Sequence, residues 1–346
     1  MEREPFAVSV AIPAFNEATR IAKTIASIQA QTEPPAEIIV VDDGSLDATA
    51  GVARSLGARV LEQGNAGVAA ARNHAIREAT SPWIAFCDAD DLWYPEKLAA
   101  CRLAHEGQPE AGFLFTDYCV EKRGRVDVPS TFAVTPEFTH LVCERIGDKL
   151  SFVEGPAMAR ALAQCNFVQP STVLVRRALL LERSIFFDVA LPQGQDFCVP
   201  EDLEWYLRVL KATDALAIDR VLVQYQRRAG SLSEDAARYK LGDAKLGEII
   251  ARTPERYVDG LAAVFAAERR RHFYDSARLY GRALRFGKMQ ARLREAQRLE
   301  FRVADEVLWL LAGVATLPGG ARIAGTLSSA WRRILKPALS RSRRTP

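Results

Sequence analysis

The feature that most constrains this chain is an alternation. Short apolar runs of strand length take turns with helical patterns: "AVSVAIP" from Ala7, "EIIVV" from Glu37, "ARVLE" from Ala58, "WIAF" from Trp83 and "AGFLFTDY" from Ala111. Between them lie helical stretches from about Glu17 to Gln31, Leu46 to Leu56 and Ala66 to Glu78, with another from about Glu96. Strands joined by helix-length crossovers predict an α/β fold with a parallel or mostly parallel sheet. In such sheets ligands gather beyond the carboxyl ends of the strands. The polar signals fall there: "PAFNE" after the first strand, "DDGS" after the second and "DADD" after the fourth. Three segments far apart in sequence are therefore expected to line one crevice.

The last of these is the most demanding. "AFCDADDLWYP", residues 85–95, sets Asp88, Asp90 and Asp91 within four positions. Unit charges about 4 Å apart repel by roughly 4 kcal/mol at an effective dielectric near 20, so the group needs solvent, protons or a cation. Its flanks, "WIAF" before and Leu92, Trp93 and Tyr94 after, argue against free solvation. Carboxylates fixed at a strand end suit a hard divalent cation that completes its shell with water and phosphate oxygens. The plainer alternative is helix capping, because the acids precede "PEKLAACRLA", with Pro95 at the helix start and a dipole that favours negative charge there.

Two neighbouring motifs add to the crevice. In "VDDGS", Val41–Ser45, Gly permits a tight turn and Asp42 supports it, while Asp43 is a candidate acceptor for a nucleobase imide proton. "GNAGVAAARNHAI" from Gly64 enters a helix on small residues, with Arg72 one to two turns in. That guanidinium is expected to orient carboxylates and screen a diphosphate, or simply to pair with Asp88 or Asp90. A dinucleotide fingerprint and a Walker lysine are both missing from the sequence.

Farther along, residues 122–168 read as loops and short helices, "PSTVLVRRALL" as a strand and short helix, "PEDLEWYLRVLKA" as a helix and "ALAIDRVLVQYQRR" as one or two strands. After about Ser233 the chain turns to long arginine-rich helical stretches. Six cysteines form no CxxC pair and four histidines stand far apart, so neither a disulfide framework nor a zinc site is expected. The opening "MEREPFAVSV" does not read as a secretory signal, and the amino-terminal domain is expected to be cytosolic. Residues 261–346 carry 18 Lys and Arg against 6 Asp and Glu, whereas the preceding residues carry 28 against 37. The basic tail contains "VLWLLAGVATLP", too short to span a bilayer but able to pack in a core or lie at a membrane surface.

The blocks "VSVAIPAFNEATRIAKTIASIQAQTEPPAEIIVVDDGSLDAT", "GVAAARNHAI", "WIAFCDADDLWYPEKL" and "NFVQPSTVLVRR…PEDLEWYLRV", in this order, closely resemble the family-2 glycosyltransferases of the GT-A fold. The resemblance covers residues 8 to about 233 and implies a GT-A domain over 1–233, with a nucleotide-sugar half (1–120) and an acceptor-side half (121–233). A basic, mostly helical region over 234–346 lies outside it. It implies a nucleoside-diphosphate sugar donor, UDP favoured, with Asp43 to the base, Asp88 toward the ribose, and Asp90 holding Mn²⁺ or Mg²⁺ on the diphosphate. Pro13, Ala14 and Glu17 match the first nucleotide-contacting loop. The general base is expected at Asp202 of the Glu201-Asp202 pair that opens the acceptor-side helix, giving a single inverting displacement, although acids at a helix start are favoured by the dipole whatever their role. Trp205 stacks on a sugar or fills the core.

One departure stands out: where many relatives have a histidine, "YQRRAGSLS" offers Arg227 and Arg228, and Arg228 is carried as a contact to the diphosphate. The acceptor is expected to be a glycan or a lipid-linked hydroxyl, with surface polysaccharide or glycolipid synthesis as the setting and no nucleic-acid partner. A sugar-phosphate nucleotidyltransferase, or a nucleotide-sugar-binding protein without catalysis, is the alternative. The tail is expected to rest on an anionic membrane at the cytoplasmic face through Trp309, Leu310, Leu311 and Trp331, with nearby arginines at the headgroups, or else to pack on protein.

Overall fold

The computed structural model describes residues 6–268 except 142, 147, 194–196 and 229–235, together with residues 288 and 291. The tail residues expected at a membrane lie outside this set. Among the described residues, no helix is long and apolar enough to cross a membrane.

Eleven strands among the described residues form one mixed sheet. They are β1 (Val8–Ala14), β2 (Glu37–Asp42), β3 (Arg59–Glu62), β4 (Trp83–Phe86), β5 (Leu92–Trp93), β6 (Phe113–Lys122), β7 (Arg125–Val128), β8 (Glu144–Ile146), β9 (Leu150–Val153), β10 (Val173–Arg176) and β11 (Ala215–Arg227). The order is β3-β2-β1-β4-β10-β6-β11-β9-β8, with β5 on β11 and β7 on β6. β3, β2, β1 and β4 are mutually parallel, β10 runs antiparallel to β4 and β6, and β11 is parallel to β6. The β/α alternation of the first half thus becomes a parallel sheet, and the reversal at β10 joins β6 and β11 to it.

Burial follows the sequence pattern. All seven residues of β1 are buried, as a strand with parallel neighbours on both sides requires. The helix Ile21–Gln29 buries Ile21, Ile25 and Ile28 along one stripe. The helix Val68–Glu78 buries Ala71, Ala75 and Ile76, and it also buries the polar Arg72 and Asn73. Residues 122–168 contain β7, β8 and β9, which the sequence does not announce. β7 turns back on β6 through Arg123 and Gly124, both at positive φ, and β9 and β8 extend the sheet past β11. These strands have three or four residues, and "RVDV" and "ERI" are largely exposed, so hydrophobic alternation cannot mark them.

The helix Glu201–Val209 has Glu201, Asp202 and Glu204 in its first turn and buries every residue from Asp202 onward. Trp205 docks it: the indole stacks on Phe187 at 4.4 Å, meets Phe86 edge-on at 5.4 Å, and donates through Nε1 to the Ile185 carbonyl at 3.1 Å. Trp205 therefore fills the core. Because Phe86 ends β4, this contact sets the first turn of the helix beside the chain that follows β4. Glu204, fully buried, accepts two bonds from Arg208 at 2.7 Å and one from the Tyr257 hydroxyl at 2.8 Å.

The chain divides into two compact units. The first comprises Met1–Leu191, Pro200–Glu234 and Ile249–Val264 and holds the whole sheet. The second comprises Pro192–Val199, Asp235–Glu248 and Phe265–Pro346. Residues 249–264 therefore group with the sheet. Within the second unit, Gln193 and Cys198 form an isolated bridge, and Gly242 packs directly against the Cys198 carbonyl.

Gly155 sets the spacing at the far end of the Trp205 helix. A Cβ there would lie 2.2 Å from the Leu210 carbonyl oxygen and 2.4 Å from that of Thr213. Gly155→Ala should cost about 3 kcal/mol or more, because backbone rather than a pliable side chain must move. Gly107→Ala, which meets nothing within 4 Å, should be neutral or slightly stabilising. Thermal unfolding of the two variants side by side checks the contrast; equal midpoints would contradict it.

Candidate active site

Parallel pairing brings the three polar strand ends to one edge. Ala14 of β1 stands opposite Asp42 of β2, and the Asp43 amide donates to the Ala14 carbonyl at 2.8 Å. The Cys87 amide, just past β4, donates to the Ala11 carbonyl at 3.0 Å. Asp42 accepts from the Ser45 amide at 3.2 Å and from the Ser45 hydroxyl, holding the turn at Gly44. Asp43 is buried. Its Oδ1 accepts from Gln63 Nε2 at 2.8 Å and the Ala66 amide at 2.9 Å, and its Oδ2 from the Gly67 amide at 2.8 Å. A carboxylate oxygen accepts two bonds, so Oδ2 retains capacity for one more donor.

The acidic cluster resolves into three roles. Asp88 Oδ1 accepts from Arg72 Nη2 at 2.9 Å. Asp90 pairs with Arg228 Nε at 2.6 Å. Asp91, 1% exposed, accepts from the Ser171 hydroxyl at 2.5 Å and the Gln226 amide at 3.0 Å, while the Asp88 amide donates to the same Ser171 oxygen at 3.0 Å. Asp91 thus ties the loop after β4 to the turn before β10 and to the end of β11. Burial, reinforced by the negative charges of Asp88 and Asp90, holds its carboxyl well above the usual range. None of the three caps the following helix: its N-cap is Glu96, without a side-chain cap bond. The capping alternative is thereby overturned.

Asp90 is pushed up to about 6, first by burial and then by the charge of Asp88, with Arg228 opposing both. Arg228 Nη2 also lies 3.3 Å from Glu17 Oε1, and Glu17 holds Arg20 on its other oxygen. Pro13 and Ala14 are buried at the end of β1, where Ala14 offers its backbone to Asp43.

Arg72 joins the two halves of the crevice. Its Nη1 donates to Glu201 Oε1 at 2.8 Å while Nη2 holds Asp88, and its guanidinium lies 5.3 Å from the Phe187 ring centroid. Asn73 fixes that ring through two bonds to the Phe187 backbone, at 2.8 and 2.7 Å. Arg72 is 3% exposed and both forks are occupied by protein carboxylates. The intramolecular pairing expected of it is present, with Asp88 and Glu201 as its partners. Burial disfavours its charge, but Asp88 and Glu201 more than offset that, and its pKa rises.

Asp202 follows Glu201 into the buried side of the helix start, 6% exposed, with Oδ1 accepting from the Leu203 amide at 2.7 Å. Burial and the adjacent Glu201 charge push it up to about 7 against the pull of Arg72. A carboxylate so placed can take a proton near neutrality. Glu204 cannot share that work, being committed to Arg208 and Tyr257. Ser171, Phe187 and Asn73 complete the architecture and were not singled out by sequence. Ser171 falls in "PSTVLVRRALL", read as a strand and short helix, and nothing local to it points to Asp91, eighty positions away.

Among the described residues, no three His, Cys, Asp or Glu side chains converge as a metal cage. The Asp88 and Asp90 carboxylates are a donor set that fits a hard divalent ion drawing its other ligands from phosphate and water.

The sequence profile described as "Glycosyl transferase family 2" matches residues 9–156. The chain is 35% identical over 206 residues to the succinoglycan biosynthesis protein ExoU of Rhizobium meliloti, covering 56% of this chain and 55% of the relative. It is 36% identical over 118 residues to TuaG of Bacillus subtilis, a glycosyltransferase named for teichuronic acid biosynthesis, covering 32% and 46%. The chain thus spans about half the length of these two relatives. Among solved structures, S. aureus TarS 1–349 superposes with a TM-score of 0.57 at 18% identity over 94% of this chain and 91% of that one. The mannosyltransferase PcManGT of Pyrobaculum calidifontis, solved with GDP-Man and Mn²⁺, gives 0.55 at 18% over 94% and 87%. Both are likenesses of fold.

The raised carboxyl of Asp202 carries a stability cost with a definite sign. From about pH 4 to about pH 7 the folded chain keeps a proton that the unfolded chain has released, so stability falls as pH rises through that window. Asp202→Asn should therefore be more stable than the parent by about 1–3 kcal/mol at pH 8 and no more stable at pH 4. Thermal unfolding midpoints at the two pH values check this; the same difference at both would contradict it.

Proposed function

We propose that this chain, whose residues 9–156 match the glycosyl transferase family 2 profile and which resembles ExoU over 206 residues, moves a sugar from a nucleoside-diphosphate sugar to a hydroxyl of a glycan or lipid-linked acceptor, with inversion, in the assembly of a cell-surface polysaccharide. The observation that carries this reading is the Arg72 bridge, which joins the donor-side carboxylate Asp88 to the helix whose first turn holds Asp202.

In this reading the acceptor hydroxyl gives its proton to Asp202, and its oxygen attacks the anomeric carbon. The bond from that carbon to the phosphate oxygen breaks, and its electron pair leaves with the nucleoside diphosphate. Asp43 faces the base with its remaining Oδ2 lone pair, Asp88 faces the ribose, and Pro13, Ala14 and Glu17 form the wall beside them. Asp90, with Asp88 beside it, would hold Mn²⁺ or Mg²⁺, which when bound neutralises charge on the leaving diphosphate. Arg228 stands where a guanidinium can also meet phosphate oxygens. Uridine is the favoured base; support for a nucleotide-sugar donor comes from fold neighbours solved with UDP-GlcNAc and with GDP-Man. The basic tail, by its sequence, would bring the crevice to a lipid-linked acceptor at an anionic membrane face.

Incubation with a panel of UDP-, GDP- and dTDP-sugars, reading release of nucleoside diphosphate with a polyprenyl-linked or glycan acceptor, tests the proposal. The parent should turn over one donor in a manner that needs a divalent ion, and its rate should fall about tenfold per pH unit below pH 7. Asp202→Asn should bind that donor and lose about 10²–10⁴ in rate. Formation of a nucleotide sugar from a nucleoside triphosphate, or a variant near parental rate, would contradict it.

A further inference from the structure

We infer that Arg228 and a divalent cation compete for Asp90, so that this arginine sets how tightly the crevice takes up metal. The inference rests on the reading of Asp90 as the carboxylate that holds the ion. Arg228 Nε lies 2.6 Å from Asp90 Oδ2 and Nη2 lies 3.3 Å from Glu17 Oε1, so one guanidinium spans both acids. Its place is not an accident of a long side chain. Arg228 follows directly on β11, and the Gln226 amide two residues earlier is tied to Asp91 at 3.0 Å. The backbone that carries Arg228 is therefore anchored to the same cluster as Asp90.

A guanidinium cannot give up its proton at any working pH. A cation arriving at Asp90 meets a fixed positive charge on the same carboxylate and must displace it. Departure of Arg228 leaves Glu17 paired, because Arg20 holds its other oxygen. The displaced guanidinium can then meet an anionic ligand. The Arg228 side chain is 36% exposed against 14% for Asp90. A pair with one partner this open to water is weak, so the competition is a tuning of affinity rather than a block, and removal of the charge should tighten metal binding by about three- to tenfold.

Calorimetric titration of the full chain with Mn²⁺ alone tests this. Arg228→Gln, which keeps length and polarity without charge, should bind Mn²⁺ about three- to tenfold more tightly than the parent. Arg228→Lys, which keeps the charge, should stay within twofold of the parent. Equal or weaker binding by Arg228→Gln overturns the inference, as does equal tightening by both variants. Asp90→Asn is the separate arm: if it binds Mn²⁺ as the parent does, the ion is not held by Asp90, and the reading beneath the inference fails with it. Circular dichroism of each variant confirms that the comparison is between folded chains.

Discussion

A single buried guanidinium holds this crevice together. Arg72 is 3% exposed, and it meets Asp88 at the end of one strand and Glu201 at the start of a helix 129 positions away. Neither carboxylate is fully buried, but the arginine is, and a buried charge left without partners costs about 3–5 kcal/mol. The chain is thereby committed to an arrangement in which both acids converge. The surroundings are built for that commitment: Phe187 lies against the guanidinium, Asn73 pins Phe187, and Trp205 stacks on the same ring while touching Phe86 of β4. Packing and electrostatics fix the same geometry from opposite sides.

Charge is distributed unevenly around that anchor. Three aspartates that look alike in sequence have three different fates. Asp88 is neutralised by Arg72, Asp90 by Arg228, and Asp91 is withdrawn into the protein to hold two distant segments. Among the described residues Asp202 has no comparable partner. It lies beside Glu201 in a buried first turn and is pushed up to about 7, which suits a proton acceptor and disfavours the folded state at alkaline pH. The fold keeps a carboxyl of raised proton affinity where the helix dipole alone would have favoured its charged form.

Much of this was legible in the sequence because it depends on local pattern. The β/α alternation gave the parallel half, the strand-end motifs gave the crevice, and the acidic first turn of "PEDLEWYL" gave the helix that closes it. What was hidden depends on partners far away. The division of labour among Asp88, Asp90 and Asp91 is decided by Arg72, Arg228 and Ser171, and no spacing within "DADD" encodes it. The capping alternative failed because the helix starts after Glu96 and the aspartate side chains turn elsewhere. β7, β8 and β9 escaped because short, mostly polar strands at or near a sheet edge need no hydrophobic alternation. Ile249–Val264 groups with the sheet, and its Tyr257 reaches a buried Glu204 that sequence could only read as one more acid.

One arginine couples Asp88, after β4, to the helix that begins at Glu201. Arg72→Lys keeps a positive charge but replaces a planar fork with a single, shorter head that cannot serve both acids. Its turnover number with saturating donor, measured well below its unfolding midpoint, is the direct test. The coupling predicts a loss of at least about tenfold in turnover, as one misplaced contact near the reacting atoms typically costs, with the chain still folded. Turnover within twofold of the parent would contradict it, and would mean that Glu201 and Asp202 are placed by packing alone.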